Sequence, residues 1–99
     1  MTRRHVRVDA QFFAELDSQL SDSRGPAGEP SASDFLVIDL PTISDAFAER
    51  FDEFPAMYPD RGDHRYLVVA GKLVRAALVV GQLVDDGSIV LFSVEIDLA

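Results

Sequence analysis

The sequence predicts an α+β domain with the element order β-α-α-β-β-β, a helical hairpin packed on one face of an antiparallel sheet. Three observations carry that prediction. Residues 65–99 read as three strands joined by two turns, each recognisable from its residue types. Two upstream stretches repeat apolar residues at helical spacing, and a short alternating segment precedes them.

The first element is a strand over 4–8, with Val6 and Val8 on one face and Arg7 on the other. Asp9 then serves as the N-cap of a helix running to about residue 20. Phe12, Phe13, Leu16 and Leu20 share one side of it, and Glu15, Asp17 and Gln19 lie elsewhere, so the helix faces a core. Residues 21–32 (SDSRGPAGEPSA) form a flexible connector. Ser31 or Ser33 caps a second helix, in which Leu36, Leu40, Ile43, Phe47, Phe51 and Phe54 are spaced 4, 3, 4, 4 and 3. Pro41 lies inside that pattern and predicts one kinked helix over 33–54. Pro55 and Pro59 end it, and 59–64 make a turn-rich bridge to the meander.

Gly71-Lys72 reads as a two-residue hairpin turn with glycine at the position needing positive φ. Asp85-Asp86-Gly87 reads as a three-residue loop closed by a left-handed glycine. Counting back from the second turn sets Val84 opposite Ser88, Val80 opposite Phe92, Leu78 opposite Val94 and Ala76 opposite Ile96. Counting from the first sets Val69 opposite Val74 and Leu67 opposite Ala76. All of these are assigned to the face beneath the helices. The outer face then includes Tyr66, Val68, Leu73, Val79, Ile89 and Leu91, an apolar patch that marks a protein partner, either another chain or a second copy. On the same face Arg75 is placed directly opposite Asp97 as a cross-strand ion pair, with Glu95 diagonal to it.

Ninety-nine residues, 47% hydrophobic, make a single domain over 1–99. There is no cysteine, which excludes disulfides and thiolate sites. The opening residues lack an apolar h-region, and no apolar run reaches membrane-spanning length. The expectation is a cytoplasmic protein with no membrane association. A net charge of −8, from 17 acidic residues against nine Lys and Arg, argues against nucleic acid as a partner. Arg3, Arg4 and Arg7 cluster at the N-terminus and read as a solvated strand flank. His5 and His64 lack metal-ligand spacing, and Asp60, Asp63 and His64 read as a polar loop, so no metal or cofactor is expected. Tyr66 beside Arg75 reads as a ring packed on an arginine stem, and Arg61-Gly62-Asp63 as a chance tripeptide.

This order of elements resembles the RelE/ParE superfamily of small bacterial toxins over most of the chain. The resemblance is carried by 35–55, similar to the family's second helix with its proline stop at Pro55. It is carried also by His64-Arg65-Tyr66-Leu67-Val68-Val69, followed by Gly71, Val74-Arg75 and the Asp85-Asp86-Gly87 hairpin. It implies either ribosome-dependent cleavage of messenger RNA or inhibition of DNA gyrase, with an antitoxin chain wrapping the surface. Arg75 matches a family basic position. The last strand, where the nuclease branch places a further basic residue and a tyrosine, reads Val94-Glu95-Ile96-Asp97-Leu98-Ala99. Those carboxylates would repel an anionic substrate, so no catalytic residue is assigned. The reading is a protein-binding RelE/ParE-like domain, either the toxin of a gyrase-inhibiting pair or a non-toxic relative. The alternative is a stand-alone homodimeric module without catalytic activity.

Overall fold

Asp9 separates the first strand from the first helix. Its carboxylate accepts the Gln11 N–H at 3.1 Å, satisfying one of the amide donors that every helix start leaves open. In the computed structural model, which describes residues 3–98, β1 (Val6–Val8) leads directly into α1 (Ala10–Gln19). Phe12, Leu16 and Leu20 are buried along one stripe, while Phe13 stays 39% exposed at its margin. The connector 21–31 is hydrogen-bonded across its base, from the Ala32 N–H to the Ser21 carbonyl at 3.0 Å.

Ser31 opens the second helical run with a capping box. Its hydroxyl accepts the Asp34 N–H at 3.1 Å, and the Asp34 carboxylate accepts the Ser31 N–H at 3.0 Å. The run comprises α2 (Ala32–Asp34), a π turn (Phe35–Asp39), α3 (Leu40–Arg50) and a 3-10 turn (Phe51–Glu53). Pro41 explains the sequence of windings. The chain widens just before it, so that the residue without an N–H enters the first turn of α3, where no donor is required. The extra residue in the wide turn also shifts the phase of the helix. Phe35 and Asp39 occupy the core side where uniform spacing predicts Leu36 and Leu40, and the latter two are only partly buried. Ile43, Phe47, Phe51 and Phe54 are buried as their spacing predicts.

The strands β1, β2 (Ala56–Tyr58), β3 (Arg61–Val69), β4 (Ala76–Leu83) and β5 (Ile89–Asp97) form one five-stranded sheet ordered β1-β5-β4-β3-β2. The sheet is mixed, not antiparallel throughout: β1 runs parallel to β5, setting Val6 beside Ile89 and Val8 beside Leu91. The strand β2 is absent from the expected order because it is three residues long and lies between Pro55 and Pro59. Such a short, proline-flanked edge also blunts strand addition from outside.

The two expected turns fare differently. At Asp85-Asp86-Gly87, Gly87 adopts φ 86° and the Val84 N–H bonds the Ser88 carbonyl at 2.9 Å, as a bulged type I hairpin requires. At Gly71-Lys72 there is no tight turn. Gly71 has no positive φ, and 70–75 form a longer connection, so Val69 pairs with Ala77 and Leu67 with Val79. In addition, the β4–β5 register slips between Val80 and Gly81, leaving Phe92 as an extra residue on β5. Beyond the slip Val79 faces Val94, Ala77 faces Ile96, Leu78 faces Glu95 and Ala76 faces Asp97.

These shifts reverse the face of β4. Ala77, Val79 and Gly81 point to the helices, and Ala76, Leu78 and Val80 point away. Val79, Ile89 and Leu91, expected in the outer patch, are instead core residues with 0% exposure. Leu73 is half-buried in the connection before β4 and is not on the sheet surface. Gly81 shows why this face is chosen: a Cβ there would stand 2.7 Å from Phe47 Cε1, so the ring lies directly against the strand backbone.

The strand β1 covers only the first part of β5, and α1 closes the rest with side chains. Glu15 accepts the Val94 N–H at 3.0 Å and the Ser93 hydroxyl at 2.9 Å. Gln19 donates to the Val94 carbonyl at 2.7 Å and accepts the Ile96 N–H at 2.6 Å. One carboxylate and one amide thereby occupy ladder positions that a neighbouring strand would fill. The hydrogen bond from Gln11, followed by that from the Val94 amide, lowers the Glu15 carboxyl below its ordinary value. A depressed acid contributes stability above its unfolded pKa, about 4.3 for glutamate, and that contribution fades as pH falls through the lower folded value. Glu15→Gln keeps an acceptor but cannot titrate. The wild type's stability advantage over this variant is therefore expected to shrink from pH 5 towards pH 3, measured as the difference in urea midpoint. A constant difference across that range overturns the assignment.

Candidate interaction face on the sheet

The sheet has one face closed by the helices and one facing away. On the outer side the register aligns Val68, Leu78 and Glu95 in one row, Tyr66, Val80 and Ser93 in the next, and His64, Gln82 and Val90 in a third. Val68 is 60% exposed. Beside it lies a shallow depression of about 250 Å³, lined by Val68, Ala76, Leu78, Glu95 and Asp97 among others. Of the expected patch, then, Tyr66 and Val68 lie on this surface, joined by Ala76 and Leu78, which sequence reasoning placed inside.

Arg75 and Asp97 approach to 3.9 Å at the edge of the depression. The geometry is diagonal, because the register partner of Asp97 is Ala76 and Arg75 precedes β4. Both side chains are more than half exposed, so the pair is worth about 0.2–1 kcal/mol.

At the β2 end of the face an aromatic cluster replaces the open apolar surface. The His64 ring lies edge-on between Tyr58 and Phe92, with centroids 5.7 and 5.8 Å away. Its Nδ1 is buried without a hydrogen bond, 3.3 Å from Asp63 Oδ1. The hydrogen-bonded guanidinium of Arg61 lowers the Asp63 carboxyl to about 2, with the His64 contact a smaller contribution. Asp60 adds no ligand set here: among the described residues no three His, Cys, Asp or Glu side chains are grouped to hold a metal ion.

The cations are largely committed elsewhere. Arg3 pairs with Asp45 and Glu49, Arg4 with Asp52, Arg7 with Asp86, Arg24 with Asp34 and Arg61 with Asp63. The N-terminal arginines of the expected solvated flank thus pair with carboxylates of α3, the 3-10 turn after it and the β4–β5 turn, while Arg3 and Arg7 stay more than half exposed. Arg65 donates to the Phe54 carbonyl at 2.7 Å and lies over the Phe51 ring at 5.6 Å, closing the end of the second helical run. A cleft of about 640 Å³ between the N-terminal segment, the end of α3 and the β4–β5 turn mixes Arg3, Arg4 and Arg50 with Glu49, Asp52, Glu53 and Asp86. Most of its charges neutralise one another, and no catalytic pairing stands out.

Several important residues carry weak sequence signals. Asp39 interrupts the apolar run Phe35-Leu36-Val37-Ile38-Asp39-Leu40, and Gly81 interrupts a β-branched strand; both interruptions mark close contacts. Glu15 and Gln19 look like ordinary surface residues of an amphipathic helix. Among the described residues no helix is long and apolar enough to cross a membrane. No protein-family model, curated protein or solved structure matches the chain.

Proposed function

We propose that this chain is a protein-binding domain that engages its partner with the outer face of its sheet. The observation that carries the reading is Val68, 60% exposed beside Ala76 and Leu78, where no helix packs. Commitment of the arginines to internal carboxylates favours binding over phosphoryl chemistry, which needs cations free to meet developing negative charge. Asp97 beside Arg75, with Glu95 in the same depression, favours the same choice. The β-α-α start, the antiparallel β3-β4-β5 meander and Arg75 just ahead of β4 support a RelE/ParE-like assignment, as a gyrase-inhibiting toxin or a non-toxic relative whose antitoxin-like chain is the partner.

The test compares wild type with Val68→Asp in tagged purification from cells that express the neighbouring reading frames. A stoichiometric protein partner retained by the wild type and weakened about tenfold or more by Val68→Asp supports the reading. The same partner bound equally by both chains overturns it. Growth arrest on expression of the chain alone would assign the toxin branch. Normal growth would assign the non-toxic one.

A further inference from the structure

The depression on the outer face has an uneven charge. Val68, Ala76 and Leu78 line its apolar part, and two carboxylates, Glu95 and Asp97, stand along its β5 side. Asp97 lies 3.9 Å from Arg75. Glu95 is exposed, faces Leu78 across the ladder and has no ion-pair partner among the described residues. Any partner that covers Val68 and Leu78 therefore also removes water from an uncompensated carboxylate, which is costly unless the partner brings a cation.

Building on the outer-face reading above, we propose that this depression takes a cationic amphipathic segment of another protein. An apolar side chain of that segment lies over Val68, Ala76 and Leu78, and a neighbouring lysine or arginine meets Glu95. A second copy of this chain is the poorer occupant. Two-fold pairing would bring the same carboxylate to both sides of the contact, and each chain carries a net charge of −8. That same charge attracts a basic segment and speeds its encounter.

The probe is an amphipathic helix of leucine and lysine, about 18 residues or five turns, with a leucine–glutamate helix as control. Both are titrated calorimetrically into the full chain. Binding of the lysine helix alone is expected. Glu95→Lys is expected to weaken it by about tenfold or more, the scale of a close interfacial charge pair. Asp17→Lys makes the same charge change on the exposed side of α1 and is expected to weaken it by less than about threefold, because salt screens distant charges. Equal weakening by the two variants, or no binding of the lysine helix, overturns the proposal.

Val68→Asp separates this inference from the reading beneath it. If Val68→Asp abolishes binding but the two helices bind wild type equally well, the cationic preference fails and the face stands. If Val68→Asp changes nothing while Glu95→Lys does, the apolar contact over Val68 fails, and the proposal with it, although the β5 side of the face is still engaged. A wild-type dimer in sedimentation that Val68→Asp dissociates assigns the surface to a second copy and overturns the proposal.

Discussion

Asp39→Ala is expected to cost about 3 kcal/mol of stability and to release the connection between β3 and β4. The Asp39 carboxylate is 4% exposed and accepts the Lys72 N–H at 2.7 Å and the Leu73 N–H at 3.1 Å. Each hydrogen bond to a charged group contributes about 1.5–3 kcal/mol, and removing the acceptor leaves both donors without a partner. The cost is less than the sum because a freed connection lets water reach those amides. Asp39→Asn keeps one carbonyl oxygen and is expected to lose about half as much. For a chain of this size, about 3 kcal/mol corresponds to a fall of about 12–24 °C in Tm. An Asp39→Ala protein melting within a few degrees of wild type would show that the connection does not depend on this carboxylate.

Gly81→Ala is expected to destabilise by about 2–3 kcal/mol, although it adds a single methyl group. That methyl would stand 2.7 Å from Phe47 Cε1, 3.0 Å from Phe47 Cδ1 and 3.1 Å from Ile89 Cγ2. Phe47 has 0% exposure, and its ring packs edge-on against Phe54 at 5.0 Å, so it cannot swing aside. Overpacking of a closed core costs on this scale. Phe47→Leu alone also destabilises, but combined with Gly81→Ala it should cost less than the two single changes added together. Urea unfolding of the four proteins checks this. Strict additivity would mean that the ring does not press on the strand.

Both variants bear on how the fold is chosen. Strand β4 reads Ala76-Ala77-Leu78-Val79-Val80-Gly81-Gln82-Leu83, apolar at nearly every position, so alternation alone does not say which side meets the helices. Asp39 moves the end of β3–β4 pairing by pulling 70–75 onto the second helical run. Gly71 is a glycine because of that approach, since a Cβ there would come 3.0 Å from Asp39 Oδ2 and 2.7 Å from Val74 Cγ2; no left-handed turn requires it. Phe47 then selects the strand face that offers a position without a side chain. The bulge at Phe92 completes the shift, turning Val94 and Ile96 inward while Leu78 and Ala76 turn outward. The candidate interaction face is thus a consequence of two side-chain contacts between residues far apart in the chain and of one bulge.

Local chemistry was sufficient wherever a structural choice is made within a few residues. The Asp9 cap, the helical stripes of α1 and α3, the Ser31 start and the Asp85-Asp86-Gly87 hairpin follow from short-range hydrogen bonding and spacing, and all can be read from residue type. The α+β class follows from them. Register, strand order and sheet face were decided by the tertiary structure. A strand with two apolar sides buries nearly equal area either way up, so the choice rests on the Asp39 clamp, the Phe47–Gly81 contact and the Glu15–Gln19 edge. Those contacts join residues brought together only by folding, and they place Val68 and Leu78 at the surface and Val79, Ile89 and Leu91 in the core.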